Sequence, residues 1–368
     1  MPLSVPENGR RGWRPVCYTL NVEPGTAMNS FVRTALLCST IVLVPAALAN
    51  DSSAMLGAGG LVLTKSADIR MASEDLYISP KQIKVHYTFV NDSGKDIDTV
   101  VAFPLPDVDN YELSESPIGT TVENGGANFV GFKVTVDGKP VAVTAEERAF
   151  LKGKDITAQL RAAHLPIDVV IGGYDMLNKL TRKQAAPYIK AGLLEDISGG
   201  QGDPAYHATW TTRTSFWWKA HFPAGKTVTV DHTYQPVTGQ TFFGTYVFEN
   251  KEQAPFLAQY CIDPGTKAAI LAALAKLKKK GGDDGLLNQY TTAYILKTAT
   301  NWKGPIGKFH LTVDKLKPTN ILSLCWGPDL KKTGPTKFEA TRTNFTPTAD
   351  IDILTLEMPD PSANSGGY

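Results

Sequence analysis

Six histidines, His86, His164, His207, His221, His232 and His310, are the side chains best suited to move protons near neutral pH. None stands four residues from another, so no helix face presents a histidine pair to a metal ion, and no metal site is expected. His232 shares strand parity with Val228, Val230 and Tyr234 and so points inward. It reads either as a core histidine or, together with Tyr234, as the edge of a pocket. Asp107, Asp109 and Glu112 follow a Phe-Pro-Leu-Pro segment, and acids at such spacing can offer oxygen ligands to calcium. The EF-hand pattern fails here, because Glu112 stands where glycine is needed and Ile118 where the bidentate acid belongs. A solvated loop is the default reading. Trp217 and Trp218 are neighbours in a strand and must face opposite ways. Trp218 falls on the apolar parity. Trp217 falls with Lys219 and His221, so it is either covered by another segment or free to stack on a sugar or peptide.

Enzyme signatures are missing. The chain has no G-x-S-x-G elbow, no H-E-x-x-H, no C-x-x-C and no G-x-x-x-x-G-K-[ST], and no cofactor is expected. Gly57-Ala58-Gly59-Gly60 is a glycine cluster with no strand-to-helix context and reads as a flexible lead-in. With 37 basic and 36 acidic residues in 368, bulk charge gives no case for nucleic acid or an anionic membrane surface. Hydrophobic residues make up 42%, enough for a core, and the length suits one large or two modest domains.

These side chains need elements to hold them, and most of the elements read as strand. Ile83, Val85, Tyr87 and Phe89 alternate with Lys84, His86 and Thr88. Thr99–Phe103 is an apolar strand stopped by Pro104 and Pro106, and Phe129–Val136 leads into an Asp137-Gly138 hairpin. Phe216–Phe222 and Val228–Tyr234 flank the turn Pro223–Lys226 and read as a second hairpin, with His221 and His232 on opposite faces. Residues 144–197 change texture. Thr144 with Glu147, and Thr181 with Gln184, have the capping-box spacing, and Asp155–His164 reads as a short helix. Asp263-Pro264 opens a further helix with an N-cap acid and a first-position proline, and Lys278-Lys279-Lys280 before Gly281-Gly282 closes it. The resulting division is a leader over 1–49, a β region over 50–143, a helical insertion over 144–197, a second β region over 198–360 with the helix at 264–280, and a disordered tail over 361–368.

The leader is the most specific signal. Met28–Arg33 is a short basic start, Thr34–Val44 is apolar and uncharged, and Ala47-Leu48-Ala49 sets small residues where a signal peptidase reads. The apolar run is too short for a permanent membrane anchor. Cleavage before Asn50 is expected, with residues 1–27 either an extended basic region or a misassigned start. Cys17 and Cys38 depart with the leader, and Cys261 and Cys325, left in an oxidising compartment, should pair.

Asn50–Ala54, Gly59–Lys65, Ser73–Ser79, Phe103–Pro106, Phe222–Lys226 and Val230–Pro236 together resemble a family of secreted proteobacterial proteins catalogued as domain of unknown function forty-four twenty-four. The resemblance implies an envelope or secreted location and brings no reaction or site residues. Tyr87–Asn91, Phe103–Pro106, Val136–Lys139 and Glu146–Ala149 are similar in order to landmarks of vault/inter-alpha-trypsin domains, which implies a β-sandwich and no activity.

The expectation is a mainly β, antiparallel sandwich-like protein of one or two β lobes with a small helical subdomain, exported to the periplasm or beyond. Its role would be non-catalytic binding of an envelope protein, peptide or glycan, or structural. Trp217, His232, Tyr234, Asp107 and Asp109 are the candidate binding residues. The alternative is an exported hydrolase using His232 and a nearby carboxylate.

Overall fold

A computed structural model describes residues 51–57, 60–111, 126–169, 173–279 and 285–359. The expected leader, the tail, Glu112 and Ile118 lie outside them. In chain order the strands are β1 (Ser52–Gly57), β2 (Gly60–Thr64), β3 (Ile69–Ser79), β4 (Gln82–Asn91), β5 (Ile97–Pro104), β6 (Val108–Asp109), β7 (Lys133–Val136), β8 (Lys139–Val141), β9 (Thr144–Leu151) and β10 (Lys154–Asp155). There follow β11 (Leu194–Asp196), β12 (Tyr206–Ala208), β13 (Thr211–Phe222), β14 (Thr227–Tyr234), β15 (Thr238–Phe243), β16 (Leu287–Tyr294), β17 (Ile306–Asp314), β18 (Ile321–Leu324), β19 (Lys331–Lys332), β20 (Lys337–Phe345) and β21 (Ile351–Glu357).

Two large sheets make a sandwich. One runs β10-β9-β13-β5-β1-β2, with β6 also on β13, and the other runs β19-β20-β17-β3-β4-β14-β7-β8. Pairing is antiparallel except between β17 and β3. The alternation legible in β4 and β13 sends Tyr87, Phe89, Phe216, Trp218 and Phe222 into one shared core, as period-two burial requires. A smaller sheet, β15-β16-β21-β18, lends Tyr294, Ile351 and Ile353 to that core. Its other face buries Phe243, Leu287, Leu354 and Leu356 under Ile270 and Leu274 of the helix Pro264–Lys279. The Asp263 carboxylate accepts the Thr266 N–H at 2.6 Å, the cap its position implies.

A helical subdomain forms a core of its own around Trp210, Tyr206, Leu160 and Leu177. Its helices are Thr157–Ala162, Gly173–Asn178 and Arg182–Lys190, the last with the Thr181/Gln184 capping box formed. The helix expected from Thr144 is instead β9. It pairs with β13 from Thr144↔Trp217 to Phe150↔Thr211. A capping box satisfies two amides, whereas the open side of β13 offers a whole ladder, and the ladder wins. The glycine cluster at 57–60 is likewise no loose lead-in, since Gly57 and Gly60 pair as β1 turns back into β2.

The expected β13–β14 hairpin does not exist. β13 pairs with β5 and β9, and β14 pairs with β4 and β7, so Pro223–Lys226 carries the chain from one sheet to the other. Buried Asn91 fixes this corner. Its amide donates to the Lys95 and Phe222 carbonyls at 2.8 and 2.7 Å, and its backbone exchanges bonds with Lys226 and Gly225. Parity along each strand is the same for a hairpin and an arch, so alternation could not separate them.

Candidate functional site

His232 lies at the centre of the sandwich. β14 aims its ring inward among Tyr87, Phe103, Phe132 and Trp218, with ring centroids 5.3, 5.0, 5.0 and 5.3 Å away. Its Nε2 stands 3.5 Å from Asp51 Oδ1, and both side chains are 0% exposed. Burial pushes the imidazole down to about 3 and raises the Asp51 carboxyl well above the usual range, with Glu74 adding to the latter. The pair is therefore a neutral acid beside a neutral base, since neither charge repays its desolvation at that distance. Tyr234 is buried in the same core. A carboxylate does stand beside His232, but solvent reaches neither group.

Exposed acid–base pairs occupy the outer face of the β3–β4–β14 sheet. His310 Nδ1 meets Asp75 at 2.9 Å, and His86 Nδ1 meets Asp231 at 2.7 Å. Cross-strand register sets His310, Asp75, His86 and Asp231 side by side on β17, β3, β4 and β14. Sequence reasoning missed this row. Each member's outward parity was legible, but the strand order that aligns them was not. Among the described residues no three histidine, cysteine or acidic side chains are grouped so as to hold a metal ion.

A larger groove lies elsewhere. It measures about 710 Å³ and is open to solvent, between the segment Pro106–Tyr111, strands β15 and β16, and the helical stretch 246–260. Asp107 and Asp109 both line it, which unites two of the sequence candidates. Arg213 holds Asp107 at 2.9 Å, and Asp109 accepts the Tyr111 N–H at 2.9 Å. Burial raises the Asp107 carboxyl, opposed by Arg213, and also raises that of Asp352 on the far wall. Amides from Gln240, Gln253, Gln259 and Gln289 add donors and acceptors. Phe242, Tyr246 and Tyr111 are 57%, 49% and 43% exposed along this groove, far more than apolar packing would leave large rings. Gly244 makes room for this edge, because a Cβ there would meet the Tyr246 ring at 2.8 Å. The Thr292 hydroxyl in the wall is buried with no hydrogen-bond partner among the described residues. Nothing in strand parity marks Phe242 or Tyr246. Only the meeting of two sheets and a helix defines the groove.

Trp217 is not part of it. The ring is half-buried on the outer face of β13, in register with Ala102 and Thr144. Cys261 and Cys325 form a disulfide with Cα atoms 5.1 Å apart, which ties the end of the helix Ala254–Gln259 to the segment after β18. That bond braces the wall that carries Gln259 and Tyr260.

The family described as Domain of unknown function (DUF4424) matches residues 49–354, and the chain belongs to it. Among solved structures, a provisionally named nutrient binding protein of Legionella pneumophila aligns at 16% identity and a TM-score of 0.42, covering 84% of this chain and 70% of that one. No curated protein sequence matches. Among the described residues no helix is long and apolar enough to cross a membrane, which leaves β-barrels unaddressed.

Proposed function

We propose that the protein is an exported, non-catalytic binding module whose ligand is a glycan held in the groove between Asp107–Tyr111 and Phe242–Tyr246. One observation carries the reading: exposed aromatic rings beside carboxylates and carboxamides around an open groove. Sugar rings present apolar faces and a rim of hydroxyls. Aromatic faces stack on the former, while acids and amides exchange hydrogen bonds with the latter. Export is supported by the basic, apolar and Ala-x-Ala pattern of residues 28–49 and by the Cys261–Cys325 bond, which suits an oxidising compartment. The hydrolase alternative loses its base, because a histidine sealed from solvent takes no proton from an external substrate.

The test is calorimetric titration of the purified chain with cell-wall glycan fragments and neutral oligosaccharides, with peptides of similar size as the contrast. Saccharide binding that Phe242→Ala or Asp107→Asn weakens about tenfold or more supports the reading. Peptide binding alone, or binding indifferent to both substitutions, overturns it.

A further inference from the structure

Strand β1 leaves its sheet halfway along. It pairs with β5 only from Ser52 to Ala54, yet stays paired with β2 out to Gly57 and Gly60. The free part of this hairpin leans across the outer face of its own sheet. The Leu61 N–H of β2 donates to both carboxylate oxygens of Glu146, at 2.9 and 3.0 Å. Glu146 belongs to β9, which β13 and β5 separate from β1. Ala145 packs on the sandwich core, so its neighbour Glu146 points outward, and the hairpin crosses that outer side to meet it.

A cleft of about 610 Å³, open to solvent, lies where the hairpin lifts away. Its floor is a row of Ala54, Val100 and Lys219, set side by side by the register of β1, β5 and β13. Its wall is Met55 and Leu56, which are 56% and 52% exposed. Two large apolar side chains are thus held over a cavity of the size that small molecules fill.

The polar groups of the cleft differ in what they already hold. His221 meets Asp98 at 2.8 Å through Nδ1 and Asp96 at 3.6 Å through Nε2, so both acids have a partner. Among the described residues no carboxylate lies within ion-pair distance of Lys219. An ammonium beside apolar walls selects an anion whose remainder is hydrophobic. Burial of the chain supplies the affinity, and the charge fixes which end goes where. A wholly polar anion would leave Met55 and Leu56 uncovered, and a neutral hydrocarbon would leave Lys219 unanswered.

We propose that the cleft beneath the β1–β2 hairpin binds a small amphipathic carboxylate, its aliphatic chain lying along Met55, Leu56 and Val100 and its carboxylate at the Lys219 ammonium. This site shares no lining residue with the groove between Asp107 and Tyr246, and it does not rest on the glycan reading.

Calorimetric titration of the purified chain with octanoate tests it, with octanol and acetate as contrasts. Octanoate should bind and acetate should not. Lys219→Met keeps the length of the side chain and removes its charge, so it should weaken octanoate about tenfold and octanol less than about twofold. Leu56→Ser should weaken both eight-carbon ligands about threefold or more, because both bury the same chain. Lys219 and Leu56 are exposed, so both variants should melt within a few degrees of wild type. Phe242→Ala, in the other groove, should change neither ligand. Absence of octanoate binding overturns the assignment. So does binding that Lys219→Met leaves unchanged, or weakens equally for octanoate and octanol, and so does binding that Phe242→Ala abolishes.

Discussion

Replacing His232 by leucine should change how stability depends on acidity more than it changes stability at neutral pH. The imidazole titrates at 6.5 in the unfolded chain and at about 3 in its aromatic enclosure. Between those values the unfolded state binds the proton that the folded state refuses. Stability therefore falls as pH drops from 6.5 toward 3, by about 1.4 kcal/mol per unit. At pH 4.5 the wild-type chain should have lost about 3 kcal/mol through this one group. Asp51 works in the opposite direction. Its raised carboxyl adds stability that is complete below the unfolded value of 3.8 and is lost as pH rises through the folded value. That contribution remains in both proteins and cancels in their difference. The assay is urea unfolding of His232→Leu and wild type at pH 7.5, 6.0 and 4.5. Leucine keeps the site apolar, so the offset at pH 7.5 reports packing and only its change with pH reports titration. The gap should move in the variant's favour by about 3 kcal/mol between the first and last pH. A gap that stays constant would refute an enclosed, neutral histidine, and with it the argument that His232 is closed to substrate.

Other substitutions probe the frame around the groove. Replacing Cys261 and Cys325 together by serine opens a loop of sequence separation 64, which chain entropy values at about 4 kcal/mol, and the urea midpoint should fall accordingly. An unchanged midpoint would mean the bond does not form in the native protein. Asn91→Ala leaves the Lys95 and Phe222 carbonyls without their donor at the sheet-to-sheet corner and should cost about 2–4 kcal/mol in the same assay. A loss below 1 kcal/mol would say that water replaces the amide there. Gly244→Ala should displace the Tyr246 ring and weaken saccharide binding while leaving the melting temperature within a few degrees. Intact binding would place the ligand away from that edge.

What was legible in the sequence was local. Inward and outward sides of β4, β13 and β14 followed from alternation, because pleating forces it whatever the neighbours are. Helix Pro264–Lys279 and the Thr181 capping box followed from end chemistry that acts within four residues. The Cys261–Cys325 pair followed from counting thiols outside the expected leader. Partnership was not legible. Thr144–Leu151 carries a helix-start spacing yet pairs along β13, and Pro223–Lys226 looks like a hairpin turn yet joins two sheets. Both errors have one source: backbone groups go to whichever partner the tertiary arrangement presents, and a one-dimensional pattern carries no record of that arrangement.

The same limit explains which site residues came together. Asp107 and Asp109 drew attention as acids at a spacing that can offer oxygen ligands, and both line one side of the groove. Phe242 and Tyr246, the opposite lip, carried no chemical signature, since an exposed aromatic in a sequence looks like a buried one. His232 and Tyr234 drew attention because histidine and tyrosine are chemically able, but the pleat that turned them inward also removed them from solvent. Chemistry at a surface needs a reactive type, an outward parity and a cleft. In this fold His232 has the first without the others. Asp107 and Phe242 stand at a cleft, supplying charge from one wall and an apolar face from the other. A charge on one wall and an aromatic face on the other can hold a ligand between them.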